Sequence, residues 1–363
     1  MRPDLALRPM DLSMKLFILR LLAVSALLAG LDSCATLPAP EATSSSAPNV
    51  TTGPAGIETA PPTGPAAATT KPAPAGPSLG GCPMFPADNI WNTRVEGLPI
   101  NARSNAWINS IGRDTGLHMD FGSGTWDGGP IGIPYNLAGA GTPKFTLDFY
   151  YSDESDPGLY PIPENVNIEW GSDHHILTVD TSNCTLYEIY DASSNGGRWS
   201  GGSGAIWDLE ANSLRPAGWT SADAAGLPIL PGLVRYDELA SGTIRHALRF
   251  TAGTTNGYTW PARHLTSDDN APNIPPMGAR FRLKASFDIS PYPAEMQVLL
   301  RAMQQYGLIL ADNGSDWYVT GAPDEHWDND MLHLLDGITG NDFEAVDVSG
   351  LIVNPDSAQA RQP

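Results

Sequence analysis

Histidines set near carboxylates are the first residues in this chain whose spacing suggests chemistry. His118 and Asp120 stand two apart, so on an extended segment both side chains point the same way. His175 opens a β-like run, with Asp173 on the same side if the extension reaches back that far, and His246 sits in Arg245-His246-Ala247-Leu248-Arg249-Phe250. Neutral imidazoles with a carboxylate suit zinc or another divalent cation. His118, Asp120, His175 and His246 are therefore one possible metal set. The alternation of His246 with Leu248 and Phe250 reads instead as a core face that holds a hydrogen-bonded histidine.

Carboxylates among aromatics form the second constellation. All ten Trp lie after residue 90, and several adjoin acids: Trp126-Asp127, Glu169-Trp170, Trp207-Asp208, Trp327-Asp328. Glycan cleavage needs flat faces for sugar rings and two carboxyl groups, one kept protonated by its surroundings. Glu188 shares a strand side with Leu186 and Tyr190, whereas Asp191 lies opposite. A carboxylate on an apolar, aromatic face is a natural general acid, because burial raises its pKa. The leading expectation is a glycan hydrolase with Glu188 and Asp191 as acid and base and His175 and His246 as tuners. Should Glu188 and Asp191 face apart, Asp120 is the first substitute. Trp126 and Trp170 are read as sugar platforms. Arg249 and Arg263, near Arg245 and His264, are read as clamps for a substrate carboxylate, an arrangement that would also suit a uronic-acid lyase. The alternatives are a zinc-dependent hydrolase of cell wall or peptide and a non-catalytic module that binds glycan or a partner protein. Gly196-Gly197 and Gly201-Gly202-Ser203-Gly204 do not lead a strand into a helix, so they make no phosphate cradle.

Short alternating runs with Gly and Pro between them must position these residues. Such runs cover 144–151, 174–180, 184–192, 205–209, 230–236, 244–251, 258–262 and 280–287, and Thr181-Ser182-Asn183 turns the second into the third. Met296, Leu299, Leu300 and Met303 share one face of a helix over 293–306, stopped by Gly307, and a shorter helix is expected over 327–335. The pattern predicts a mainly β single domain over 82–354, sandwich- or jelly-roll-like, with two or three short helices and a disordered tail over 355–363.

Leu117-His118-Met119-Asp120-Phe121-Gly122, Cys184-Thr185-Leu186-Tyr187-Glu188, Gly218 through Gly226, and Ala311-Asp312-Asn313-Gly314-Ser315 resemble a group of secreted bacterial proteins without a known activity. The resemblance implies no catalytic residue.

The leader says where the protein works. Met14-Lys15, read as the true start, precedes an almost wholly apolar run from Leu16 to Gly30, the pattern of a secretory signal over 1–34. Leu31-Asp32-Ser33-Cys34 resembles the lipobox of bacterial lipoproteins, which implies lipidation at Cys34; Ala35 in the next position then favours the outer membrane. Asp32 departs from the pattern, and ordinary cleavage after Ala35 is the alternative. Residues 35–81 hold ten Pro, no aromatic residue and only Glu41, Glu58 and Lys71 as charges, which predicts a disordered tether with a reach of roughly 40 Å. Cys82 and Cys184 then remain to form one disulfide. The net charge of −20 falls entirely on the body, because the first 81 residues carry five charges of each sign. That excludes nucleic acid as a natural partner. The expected protein is an envelope-held or secreted monomer that acts on extracellular polysaccharide and touches a membrane only through a lipid.

Overall fold

Ile176–Asp180 and Thr185–Tyr190 show how the strands arise. Both are rich in β-branched and aromatic residues and pair antiparallel from Ile176↔Ile189 to Asp180↔Thr185. The turn between them is fixed by Asp180, whose carboxylate accepts from the Ser182 amide (3.1 Å) and hydroxyl (2.6 Å). In the computed structural model, which describes residues 76–363, ten strands build two main sheets: β1 (His118–Asp120), β2 (Tyr135–Ala138), β3 (Ile176–Asp180), β4 (Thr185–Tyr190), β5 (Ser203–Asp208), β6 (Leu248–Ala252), β7 (Arg280–Leu283), β8 (Leu308–Asn313), β9 (Tyr318–Thr320) and β10 (Phe343–Ala345). One sheet runs β5-β4-β3-β2 and the other β10-β7-β8-β6-β9-β1, both with mixed strand directions. The molecule is thus mainly β, and four α-helices accompany the sheets among the described residues: α1 (Ser104–Ile111), α2 (Tyr236–Ala240), α3 (Ala294–Gln305) and α4 (Asn329–His333).

The period of two sorts each strand's residues into layers. Leu177, Val179 and Leu186 of the four-stranded sheet share a core with Ile309 and Ala311 of the six-stranded sheet. Leu248, Phe250, Leu308 and Leu310 point the other way and pack with Met296, Leu299, Leu300 and Met303 of α3. Phe250, Trp317 and Phe343 stack in that second core, with ring centroids 5.5 and 5.2 Å apart. On the outer face of the four-stranded sheet, Ile176, Tyr187 and Ile189 cover Tyr160 and Ile162. Helix α3 stops at Gly307, whose φ of 70° and whose closeness to the Phe281 carbonyl (a Cβ would lie 2.1 Å from it) leave room for no other residue.

Several boundaries differ from the sequence reading. The run 230–236 is not a strand: it forms a 3₁₀ turn, Leu230–Gly232, and then enters α2. The run 258–262 makes only an isolated bridge at Tyr258. The end of the expected tether joins the body, with Ser78–Leu79 paired to Cys82–Pro83. The expected tail is ordered as well. Ala358 and Ala360 are buried, the Ala358 amide donates to the Asn212 carbonyl, and Arg263 donates to the Pro355 carbonyl and the Asp356 carboxylate. Cys82 and Cys184 are joined, with sulfurs 2.08 Å apart, as an oxidising compartment favours. No helix among the described residues is long and apolar enough to cross a membrane. The signal, Cys34 and most of the tether lie outside the described residues.

Candidate functional site

Strand alternation that makes the core also delivers polar side chains to one end of the space between the sheets. Arg249 lies between Leu248 and Phe250, so it faces away from the helices and into that space. It is buried and needs anions. Its Nε and one terminal nitrogen grip both oxygens of Asp223 (2.7 and 2.8 Å), the same nitrogen donates to Asp312 (3.0 Å), and the other donates to Thr320 Oγ1 (2.6 Å). Thr320 is in register with Asp120, so Arg249, Thr320 and Asp120 make a row across β6, β9 and β1.

One guanidinium thus serves two carboxylates. Asp223 takes the fork and Asp312 a single bond. Burial, and then the neighbouring charge of Asp223, push the Asp312 carboxyl up to about 7. Asp312 still keeps 23% of its side-chain surface open. It lines a cleft of about 420 Å³ together with Asp173, Tyr151, Tyr190 and His264.

The opposite wall rests on His175. Its Nδ1 lies 2.5 Å from Glu169 and its Nε2 2.9 Å from the Ala222 carbonyl. Burial works against its charge, but Glu169 prevails and raises the imidazole to about 9, so both nitrogens donate at neutral pH. Burial also opposes the charge on Glu169, and the His175 bond more than offsets it, leaving that carboxyl below its usual value. His264 Nδ1 donates to the Ala224 carbonyl (2.8 Å). The loop 220–224 is therefore held at Ala222, Asp223 and Ala224 by His175, Arg249 and His264, which fixes the rim of the cleft.

Glu188 requires a correction. It faces between the sheets as its strand parity implies, but it is fully buried. It accepts from the Ile229 and Leu230 amides (both 2.9 Å) and from Trp207 Nε1 (3.1 Å). Burial pushes its carboxyl up to about 7, yet no substrate reaches it. Asp191 is exposed, 3.6 Å from His174, and makes no pair with Glu188. His246 is also sealed, held by Glu238 (2.9 Å) and the Ala247 carbonyl (2.8 Å), which bears out the core-histidine reading. Arg263 pins the C-terminal segment through the Arg215 and Pro355 carbonyls and Asp356, and Arg249 is spent on internal acids, so neither clamps substrate. Trp126 and Trp170 are exposed.

The proposed metal set is not assembled. Among the described residues only Glu169, Asp173 and His175 bring three ligand atoms of His, Cys, Asp or Glu within 4.8 Å of one another. Both nitrogens of His175 are already engaged, so a metal there would have to displace Glu169 or the Ala222 carbonyl. His118 instead packs against Tyr318, ring centroids 4.2 Å apart and planes tilted by 35°.

Sequence reasoning placed His175 near the site and noted Asp173 beside it, but it missed Asp223, Asp312, Tyr151 and the support from Glu169. Two signals were present: an arginine at an apolar strand position requires buried acids, and Asp312 closes the apolar run Leu308–Ala311. No family model, curated protein or solved structure matches this chain.

Proposed function

We propose that this protein is an exported hydrolase that cleaves neutral polysaccharide in the cleft between Asp312 and Asp173. The observation that carries the reading is Asp312, whose carboxyl is pushed up to about 7 by burial and by Asp223 while it stays open to a cleft with a second carboxylate and two tyrosines. Asp312 donates its proton to the glycosidic oxygen as the C–O bond breaks. Asp173 takes a proton from the attacking water, and one water is consumed per bond. Tyr151 and Tyr190 offer flat faces to the sugar rings. The charge of Asp223 favours the proton on Asp312, Arg249 is a positioning residue that holds both carboxyls in place, and His175 with Glu169 fixes the loop that carries Asp223. The joined Cys82–Cys184 pair supports export, and the net charge of −20 supports an uncharged substrate.

The test is release of reducing ends from a panel of neutral polysaccharides. The expected result is turnover by the wild type and none by Asp312→Asn; a wild type that releases nothing from any of them defeats the proposal. The exposure of Trp126 and Trp170 favours one second reading, a binding module without turnover, which predicts retention on polysaccharide with no new reducing ends.

A further inference from the structure

At the free edge of the six-stranded sheet lies a second recess, of about 380 Å³. We infer that it is a remote subsite that holds a neutral polysaccharide chain away from the point of cleavage, so that the protein binds polymer more tightly than short oligosaccharides. The inference rests on the reading of the Asp312 cleft as a glycan-cleaving site.

Met119, Phe121 and Leu332 make the floor, the rings of His118 and Tyr318, tilted 35° to each other, line a wall, and Trp126 stands at the lip, 76% exposed. Asp120 supplies an acceptor. Apolar walls with flat rings and few polar groups are the chemistry of a carbohydrate subsite: the ring's C–H face stacks, and its hydroxyls donate to the carboxylate. An acidic body with Asp120 in the recess disfavours a polyanion.

The recess wraps the edge of the sheet: Met119, Phe121 and Leu332 belong to the helix-side core, whereas His118, Asp120 and Tyr318 stand on the side of Arg249 and the cleft. Asp312 lies on β8 and Asp120 on β1, three strand spacings away across β6 and β9, about 14 Å. That span takes several sugars, not one. The row Arg249–Thr320–Asp120 links the two sites physically. A second indole marks the approach. Trp170 follows Glu169, the partner of His175, and lies flat on Gly129, where a Cβ would come within 2.0 Å of the indole. Gly129 is the cross-strand partner of Trp126, which lines the recess, so one glycine turn carries both exposed indoles.

The experiment is electrophoresis of the full chain through gels cast with hydroxyethylcellulose, mixed-linkage glucan, xylan or galactomannan, beside turnover of the same polymers and of their trisaccharides. Trp126→Ala removes the lip, and Ile131→Trp fills the recess from another side; circular dichroism confirms that each is folded. The expected result is retardation of the wild type and of Asp312→Asn by at least one polymer. Its binding is weakened about tenfold in both recess variants, with trisaccharide turnover unchanged. Equal retardation of the wild type and both variants overturns the subsite and leaves the cleft reading intact. Retardation lost in the variants, with no reducing ends from the wild type, keeps the subsite and overturns the cleft reading. A wild type retarded by none of the polymers overturns the inference.

Discussion

Glu188 and Asp312 sit on facing sheets, and both carboxyls are pushed up to about 7, yet their surroundings differ. Around Glu188 the core is closed: two backbone amides and an indole N–H converge on the carboxylate, and no surface remains. Around Asp312 one arginine is divided between two acids, and part of the side chain opens on a cleft. Two histidine–glutamate pairs repeat the contrast. His246–Glu238 is enclosed within the fold, whereas His175–Glu169 stands behind the cleft wall and holds its loop. A raised pKa is therefore evidence of burial first. It becomes evidence of catalysis only where the group keeps a path to solvent.

The sharpest way to break this comparison is to remove one carboxyl at a time. Asp312→Asn is expected to lower turnover about 10²- to 10⁴-fold, the range of general acid catalysis, with the circular dichroism spectrum unchanged. An equally active variant would move the chemistry elsewhere. Next comes Arg249→Met, which leaves Asp223 buried without its counter-charge; a loss of about 3–5 kcal/mol is expected in urea unfolding. A loss under about 1 kcal/mol would mean that the shared-guanidinium account is wrong.

The closed end is tested by its staple. Cys82 and Cys184 are 102 residues apart and border the core shared by the sheets, so replacing both with Ser is expected to cost about 4 kcal/mol through loop closure, read from the same unfolding curves. Glu188→Ala strands two amides and an indole N–H, with an expected loss on the order of 3 kcal/mol. A Glu188 that matters for turnover and not for stability would reverse the assignment of the two carboxyls.

The smallest effect is that of pH. Glu188 and Asp312 hold protons in the folded state up to about 7, whereas the unfolded chain releases them near 4.5 and 3.8, so the folded state binds more protons between those values and stability falls as pH rises. His175 adds stability that is fully present below 6.5 and is lost as pH rises through about 9. Glu169 and Glu238, held below their usual values, act at the other end, where stability falls as pH drops through their folded values. Melting temperatures should therefore decline from about pH 5 to pH 9. Glu188→Gln should flatten the lower part of that decline and His175→Gln the upper part; an unchanged curve in either variant would show that the group is not perturbed as described.

Much of the fold was legible because it is local. The hairpin from Ile176 to Tyr190 follows from alternation and an Asp-led turn, and α3 follows from its apolar face and Gly307. The parity that puts Glu188 beside Leu186 was also correct. What parity could not say is which inward position is roofed by Leu230 and Trp207 and which is left open. The C-terminal segment misled for a related reason. Its composition looks like a loose tail, but Arg263 and Asn212, both distant in the chain, tie it down.

The sequence by itself determined the strand periods, the cysteine pair, the acidic charge and the presence of an arginine and several acids at inward positions, because each depends on residue type and near spacing. Only the tertiary structure decided that Arg249 would meet Asp223 and Asp312, that Glu188 would be sealed, and that His246 and His118 would not join His175. Those outcomes depend on which segments cross the gap between the sheets. A carboxyl becomes an acid for substrate or a strut for the core according to the last few ångströms of cover, which no local pattern encodes.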